Sequence, residues 1–424
     1  MRHLLVLGAG TAGTTLVNKM RGLLADDEWA ITIVDARTEH HYQPGYLFIP
    51  FERYTPSQVT KPQSGFIPAG VSWITADVEE IRPDDNLAVL GDGSTLEYDQ
   101  LVIATGATPR PDQTPGMTGS EWRKSVFDFY TLEGATALRD ALAKWDGGRL
   151  VVHITETPIK CPVAPLEFSF LADSWFRQRG MRDRVEIVYV TPLDGAFTKP
   201  IASKQLGGML EDRDIGVETD FYVEQVDNDR KLLVSYDERE IPFDLLVTVP
   251  LNMGAEFIAR SGLGDELNYV PVDPGTFLSK AWDNIFAIGD AADLPTSKAG
   301  SVAHFAVEVF GENFIHHVAG EPMPIRFDGH ANCFVESGDG KGLLIDFNYE
   351  TEPLPGKYPL PVVGPFSLLD ETRINHLGKL MFKTIYWNAL LPGRKVPLPA
   401  LMSMAGKKVP ESESEENSRK EALL

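Results

Sequence analysis

The chain has 424 residues, of which 43% are hydrophobic and 24% are charged, as in an ordinary globular protein. This length favours two or more domains. The formal net charge of −22 argues against a nucleic-acid partner, because a phosphate-binding surface needs clustered lysine and arginine. No apolar run reaches the roughly 20 residues that a membrane span requires. Two cysteines do not make a disulfide scaffold, so they are either buried bystanders or a redox pair.

The first predicted element is a nucleotide-binding unit. An apolar strand at 3–7 runs into the pattern Gly8, Gly10, Gly13, and a helix is predicted over 11–24. The first glycine permits a tight turn, the second lets backbone approach a pyrophosphate, and the third lets helix and strand pack closely. Asp35 ends the next strand, at 30–34, where a ribose ligand belongs. The pattern predicts an FAD site; the alternative is a packing turn with a surface aspartate.

The rest of the chain alternates predicted strands and helices. This alternation predicts an α/β fold with two Rossmann-like, doubly wound domains. We expect an FAD-binding domain from 1–110 and 270–325, a second Rossmann-like domain over 111–269, and a C-terminal region over 326–424. That region contains a hairpin-like stretch near 333–349 and an acidic tail from Pro410 that is predicted to be disordered. Predicted strands lie at 71–74, 87–90, 101–104, 150–154, 185–190, 245–249 and 285–288, and helices at 131–144 and 164–178.

Two further segments support FAD. Residues 98–109 read Y-D-Q-L-V-I-A-T-G-A-T-P, a buried strand followed by the turn Thr105–Gly106. Residues 284–291 read N-I-F-A-I-G-D-A, a strand that ends in Gly289 and Asp290. Each alone is also compatible with an ordinary strand end. In this order they resemble the second and third FAD motifs of flavoproteins with two dinucleotide-binding domains, in which the aspartate matching Asp290 binds the ribityl chain.

The second strand-loop-helix unit has no glycine turn. Residues 157–167 read T-P-I-K-C-P-V-A-P-L-E instead, with Cys161 on the loop where a nicotinamide nucleotide would bind. This replacement suggests that electrons enter from sulfur. The following helix N-terminus is expected to lower the pKa of the Cys161 thiol. The alternative is that Cys161 and the distant Cys333 are buried and inert.

The segments K-C-P-V-A-P-L-E and N-C-F-V-E resemble the sulfide:quinone oxidoreductases and the related flavocytochrome sulfide dehydrogenases. H-Y-Q-P-G-Y at 41–46, K-A-G at 298–300 and H-L-G-K-L-M-F at 376–382 extend the resemblance over nearly the whole chain. The resemblance implies that Cys161 and Cys333 form a redox-active bridge, with Cys333 nearest the flavin, and that Glu167 handles protons. Many family members have a third cysteine, to which some attach FAD. This chain lacks it, so we expect non-covalent FAD.

The segment 377–391 is helix-compatible, aromatic and apolar on most sides. A basic, Trp-bearing segment of this kind suits a membrane interface, and the alternative is a helix packed on the core or in a dimer contact. The resemblance implies a quinone pocket with Lys379, Phe382 and Gly300, and His304 or Glu308 as a proton relay. The nearby basic residues are Lys379, Lys383, Arg394, Lys395, Lys407 and Lys408.

These features predict a FAD-dependent enzyme that oxidises sulfide to zero-valent sulfur or polysulfide and reduces a membrane quinone. No leader precedes the first strand, so we expect no signal peptide and a peripheral, monotopic location on the cytoplasmic side of the membrane. No metal site is expected, and a homo-oligomer is compatible with the sequence. The alternatives are a type II NADH:quinone oxidoreductase, a sulfide dehydrogenase with a cytochrome acceptor, and a non-enzymatic flavin redox sensor.

Overall fold

The computed structural model describes residues 1–360, 364–396 and 398–409. The acidic tail predicted from Pro410 lies outside the described residues. The α-helices are α1 (Thr11–Leu23), α2 (Leu132–Leu142), α3 (Ala164–Gln178), α4 (Pro200–Glu211), α5 (Glu256–Arg260), α6 (Gly300–Val318) and α7 (Arg373–Ile385), which continues into a π-helical turn at Tyr386–Leu390.

The first sheet has five parallel strands, and the N-terminal strand Arg2–Leu7 lies at its centre. Its residues from Leu4 to Leu7 are completely buried, as expected for a parallel strand with both faces covered. Helices α1 and α6 pack against each other beside it. The strand at one edge comes from a distant part of the chain. In spatial order the strands are Val71–Ile74, Trp29–Val34, Arg2–Leu7, Gln100–Ile103 and Ile285–Ala287.

The second sheet repeats this arrangement. Its central strand, Gly148–Ile154, pairs in parallel with the strands on either side, and α3 packs on it. In spatial order the strands are Ile215–Glu218, Val185–Val190, Gly148–Ile154, Leu245–Val249 and Val126–Phe127. In the first sheet the chain starts at the central strand, winds outward on one side and then crosses back to the other. In the second sheet the edge strand Val126–Phe127 comes first, and the chain then follows the same order from the central strand. In both sheets the carboxyl end of the central strand opens towards a loop that can bind a ligand.

The C-terminal region contains a mixed four-stranded sheet. Strands Ala331–Gly338 and Lys341–Phe347 form an antiparallel hairpin, and α7 packs against both. Gly378 permits this close approach, because a Cβ there would lie 2.6 Å from the Phe334 ring. Strand Ala331–Gly338 also contacts α3, so the C-terminal sheet reaches back to the second parallel sheet. The other two strands of this sheet are Phe366–Leu368 and Gly356–Tyr358.

The remaining strands form small sheets at the periphery. Three-stranded antiparallel sheets are Val78–Arg82 with Leu87–Leu90 and Thr95–Glu97, and Val223–Asp227 with Leu232–Ser235 and Glu240–Pro242. Two-stranded pairs are Glu39–His41 with Thr60–Pro62, Thr108–Pro109 with Asn252–Met253, and Val270–Pro271 with Ala292–Asp293.

Candidate active site

A cavity of about 380 Å³ lies where the first sheet, the loop before α3, the start of α6 and α7 come together. This volume is within the usual range for a small-molecule or cofactor site. Gly8 and Gly13 do not line the cavity, because they contact each other within the glycine turn. The predicted site residues that line it are Gly10, Asp35, Thr105, Gly106, Cys161, Glu167, Gly289, Asp290, Gly300, His304, Cys333, Lys379 and Phe382.

The glycine turn brings the N-terminus of α1 to the cavity. Gly8 has φ +98°, a left-handed conformation that favours glycine. At Gly13 a Cβ would lie 1.9 Å from the carbonyl oxygen of Gly8, so only glycine lets α1 pack this closely. Gly10 is the residue before the helix, and it has no side chain that could cap the helix N-terminus. The first-turn N–H groups of α1 are therefore available to an anionic group such as a pyrophosphate.

Polar groups beside this turn fit the remainder of a dinucleotide. The Asp35 carboxylate accepts hydrogen bonds from the backbone N–H of Ala9 at 2.7 Å and of Arg37 at 2.8 Å, which fixes it at the edge of the cavity. The buried Thr105 hydroxyl has no hydrogen-bond partner among the described residues. A buried polar atom without a partner is costly, so this one suits a ligand. These contacts fit the ribose and phosphate groups of the predicted FAD.

Two lysines that the sequence motifs did not single out flank Asp290. Lys298 Nζ donates to the carbonyl oxygens of Asp290, at 2.9 Å, and Ala292, at 3.1 Å. Burial raises the pKa of the Asp290 carboxyl, and the charges of Lys298 and Lys160 oppose this. Burial lowers the pKa of Lys160 to about 8. The sequence did offer a sign that these lysines lie at the site, because Lys160 directly precedes Cys161 and Lys298 is the first residue of the K-A-G segment.

The two cysteines reach the same cavity from different elements, and both are free thiols. Cys161 lies on the loop before α3 with φ +47°, a strained conformation for a side-chain-bearing residue, and its N–H donates to Lys298 at 2.7 Å. Cys333 lies on strand Ala331–Gly338, where the neighbouring Asn332 N–H donates to Ser301 Oγ at 3.4 Å. Both cysteine-bearing segments are therefore hydrogen-bonded to residues at or just before the start of α6.

The expected lowering of the Cys161 pKa is wrong. Burial raises the pKa of the Cys161 thiol, and the hydrogen bond from Ala164 at the start of α3 lowers it by less. Burial also raises the pKa of Cys333 to about 11, against the opposing charge of Lys379. A helix N-terminus stabilises a thiolate, but desolvation of the charged form is the larger effect here. Neutral sulfur is therefore favoured at both positions.

Glu167 lies beside the cysteines as one member of a buried ion pair. Its side chain is fully buried, and Oε1 accepts hydrogen bonds from Lys379 Nζ and from the backbone N–H of Glu336, each at 2.7 Å. Its second oxygen, Oε2, has no hydrogen-bond partner among the described residues. Burial raises the pKa of Glu167, and Lys379 opposes this shift. A carboxyl with one free oxygen and a raised pKa suits proton uptake.

The residues predicted for quinone lie at the start of α6 and on α7. A Cβ at Gly300 would lie 4.0 Å from the Phe382 ring. His304 Nδ1 is buried without a partner in the described part of the chain, and burial lowers the pKa of this imidazole. Glu308 forms a 2.6 Å ion pair with Lys19. Lys379 differs from the others, because its ammonium group is already bound by Glu167 and by the Phe334 carbonyl.

The predicted basic cluster is smaller at the surface than its sequence suggests. Lys379 and Lys407 are buried in ion pairs, the latter with Asp346, so neither adds positive charge to the surface. Lys383 lies over the Tyr54 ring, 4.0 Å from its centroid. Arg394, Lys395 and Lys408 are exposed.

Helix α7 has an apolar outer face. Ile374, Leu377 and Met381 are 49%, 55% and 58% exposed, which is unusual for large apolar side chains on one face of a helix. Across the described ranges, no helix combines the length and apolar character needed to cross a bilayer. The part of the chain that the structure describes contains no group of three or more histidine, cysteine, aspartate or glutamate side chains arranged to hold a metal ion.

The family model described as pyridine nucleotide-disulphide oxidoreductase matches residues 2–157. The mitochondrial sulfide:quinone oxidoreductase of Schizosaccharomyces pombe is 28% identical, with 91% of this chain and 88% of that protein covered. The corresponding protein of Dictyostelium discoideum is 25% identical, with 92% and 86% covered. The predicted family resemblance is confirmed.

A solved structure supports the fold. The sulfide:quinone oxidoreductase from Aquifex aeolicus superposes with a TM-score of 0.76 at 20% identity, and the match covers 93% of this chain and 92% of that one. Together with the family model, this confirms the predicted α/β fold of the disulfide-reductase type.

Proposed function

We propose that this chain is a flavin-dependent enzyme that oxidises sulfide to zero-valent sulfur and passes the electrons to a membrane quinone. The observation that carries the proposal is that Cys161 and Cys333 line one cavity together with the glycine-turn helix α1. Relatives named for this reaction match the chain over about nine-tenths of its length. The loop at 155–163, where a nicotinamide nucleotide would bind, contains no glycine.

The flavin is FAD, and we propose that it is bound without a covalent link. The first-turn N–H groups of α1 would hold its pyrophosphate, Asp35 its ribose, and Thr105 and Asp290 the remaining polar groups. The chain has no cysteine besides Cys161 and Cys333, so a thioether to the flavin would remove one of the redox pair. When bound, FAD supplies a two-electron acceptor beside the thiols and a donor to quinone.

The two cysteines carry the sulfur chemistry. In the oxidised enzyme they are joined by a disulfide, and hydrosulfide attacks the Cys161 sulfur, breaking the S–S bond. Cys161 becomes a persulfide, and Cys333 leaves as a thiolate. Closing a new S–S bond between the persulfide and Cys333 gives a trisulfide and releases two electrons and one proton. Further hydrosulfide opens the chain in the same way, and each further loss of two electrons to the acceptor closes it one sulfur longer. When the Cys333 thiolate attacks the Cys161 sulfur, the bond from Cys161 to the sulfur chain breaks, the disulfide re-forms, and the chain leaves as polysulfide.

Glu167 accepts the proton that each cycle releases. Its side chain lines the cavity that both cysteines line, its Oε2 has no hydrogen-bond partner among the described residues, and its raised pKa favours proton uptake. The ammonium group of Lys379 stabilises whichever sulfur is negative, because its charge lowers the pKa of both thiols. This favours a role for Lys379 on the sulfur side of the cavity over the quinone contact implied by resemblance.

We further propose that the enzyme binds peripherally to the cytoplasmic side of a membrane through α7. The exposed apolar side chains of Leu377 and Met381 would enter the interface, and Arg394, Lys395 and Lys408 would face anionic lipid head groups. Quinone would then reach the pocket of Phe382, Gly300 and His304 from the lipid side. A homo-oligomer stays a prediction.

Stopped-flow absorbance of the purified protein tests the proposed function. Sulfide should bleach the flavin band within the enzyme's turnover time, and a short-chain quinone should then restore it. NADH at the same concentration should leave the band unchanged. Bleaching by NADH but not by sulfide would instead indicate an NADH:quinone oxidoreductase.

A further inference from the structure

A second buried carboxylate, Glu336, lies next to the Glu167–Lys379 pair and has no part in the chemistry proposed above. It lies on strand Ala331–Gly338, three residues after Cys333, and its side chain is fully buried. Its backbone N–H donates to Glu167 Oε1 at 2.7 Å, which holds the two glutamates side by side.

The Glu336 carboxylate is contacted by basic side chains from two other elements. His376 Nδ1, on α7, lies 2.7 Å from Oε1. Arg53 Nη1, on the segment that follows strand Trp29–Val34, lies 3.5 Å from Oε2. Burial and then the charge of Glu336 raise the pKa of Tyr54.

Helix α7 connects the two glutamates. His376 and Lys379 are three residues apart, so they project from the same face of the helix. His376 contacts Glu336, and Lys379 contacts Glu167. Lys379 is the most deeply buried of the three basic side chains, at 11% exposure compared with 15% for His376 and 32% for Arg53. Each carboxylate therefore has its own basic partners, and the two partners on α7 lie one turn apart.

We infer that Glu336 is a positioning residue that sets the pH range over which Glu167 accepts the proton from sulfide. Its carboxylate, which His376 and Arg53 hold beside the Glu167–Lys379 pair, acts on Glu167 in the opposite sense to Lys379. This role rests on the sulfide oxidation proposed above. It does not require Glu336 to touch the substrate.

The electrostatic effects on Glu167 have the signs that this role requires. Burial is the largest influence and raises the pKa of Glu167, Lys379 lowers it, and the charge of Glu336 raises it. Neutralising Glu336 should therefore lower the pKa of Glu167, whereas removing Lys379 should raise it. Opposite shifts from two neighbouring substitutions would not arise from a general loss of packing.

The test uses the flavin-loaded, full-length protein with Glu336→Gln, between pH 5 and 9. One readout is the pH profile of flavin bleaching by sulfide. The other is the infrared band of the protonated Glu167 carboxyl, assigned by its loss in Glu167→Gln. We expect the Glu167 midpoint to fall by about one pH unit in Glu336→Gln and to rise by about one unit in Lys379→Met. Glu336→Asp keeps the charge and should leave the midpoint close to that of the wild type.

Matched controls are Glu371→Gln, which removes a carboxylate paired with Arg213, and Lys383→Met, which removes a lysine from the same helix. Neither should move the midpoint. An unchanged midpoint in Glu336→Gln would overturn the inference. If Lys379→Met does not fold, the contrast between Glu336→Gln and Glu336→Asp decides. If sulfide fails to bleach the flavin of the wild-type protein, the proposed function is contradicted. The infrared midpoint of the Glu167 carboxyl would still test the role of Glu336 in that case.

Discussion

The loops that follow the central strands of the two parallel sheets make an instructive comparison. From its central strand onward, each sheet winds outward on one side and then crosses back to the other. After Arg2–Leu7 the chain makes a tight glycine turn that brings α1 against the sheet. After Gly148–Ile154 it makes a longer loop that carries Cys161 and reaches α3 at Ala164.

The difference shows that the same topology supports a nucleotide site or a thiol site, depending on one loop. A glycine turn leaves room for a pyrophosphate at the helix N-terminus. The second loop fills that room with Lys160, Cys161 and Val163, all of which line the shared cavity. Function here is set by the loops, and the two sheets hold those loops in place.

The largest expected effect comes from disrupting the first loop. Gly13→Ala would place a Cβ 1.9 Å from the Gly8 carbonyl oxygen, so the turn cannot close and the protein should be purified without flavin. The flavin-to-protein absorbance ratio measures this. Gly22→Ala is the matched control on the same helix, where a Cβ meets nothing within 4 Å. Normal flavin content in Gly13→Ala would contradict the account of this turn.

Disrupting the second loop should leave the flavin bound but unable to receive electrons. Cys161→Ser and Cys333→Ser each remove one sulfur of the pair, and we expect sulfide to bleach the flavin at least about 10³-fold more slowly. Stopped-flow absorbance at the flavin band gives the rate. Thr157→Ser, on the same loop, should bleach at the wild-type rate. Rapid bleaching in either cysteine variant would show that sulfide reduces the flavin directly.

The pH dependence of thiol alkylation tests whether burial suppresses the reactivity of the reduced Cys333 thiol. Since burial raises the pKa of Cys333 to about 11, its thiolate fraction should increase about tenfold per pH unit between pH 7 and 10. The alkylation rate of reduced Cys161→Ser protein, in which Cys333 is the remaining thiol, should follow this slope. A rate that levels off near pH 8 would mean that the thiol is activated rather than suppressed.

The smallest expected effect concerns the apolar face of α7, which borders the cavity that the two loops share. Replacing both Leu377 and Met381 by glutamate should reduce binding to anionic vesicles about tenfold, because two apolar contacts are lost and negative charge is added. Co-sedimentation measures the bound fraction. Tyr236→Glu, at a similarly exposed apolar residue, should leave binding unchanged. Equal binding by the double variant would argue for a protein contact at this face.

Much of the fold could be predicted from the sequence because its signals are local. The strands at 71–74, 87–90, 185–190 and 245–249 and the helix at 164–178 have the bounds that their apolar runs predicted. The glycine spacing likewise placed the nucleotide turn, since its chemistry depends on adjacent backbone.

The charge arrangement of the site was harder to predict because it depends on distant contacts. The predicted basic cluster included Lys379 and Lys407, yet both are buried against carboxylates from other elements. The pKa of Cys161 depends on how much water the surrounding elements exclude, which the adjacent helix does not determine. Glu336 was visible in N-C-F-V-E, but its partners His376 and Arg53 come from opposite ends of the chain.

Mass spectrometry of the oxidised protein, digested without reductant after exposure to sulfide and quinone, tests the central claim most directly. We predict a linked pair of peptides that contains Cys161 and Cys333, with the mass of a disulfide and of chains with one or more additional sulfur atoms. Recovery of both cysteines as unlinked peptides, under conditions in which the enzyme turns over, would contradict the account.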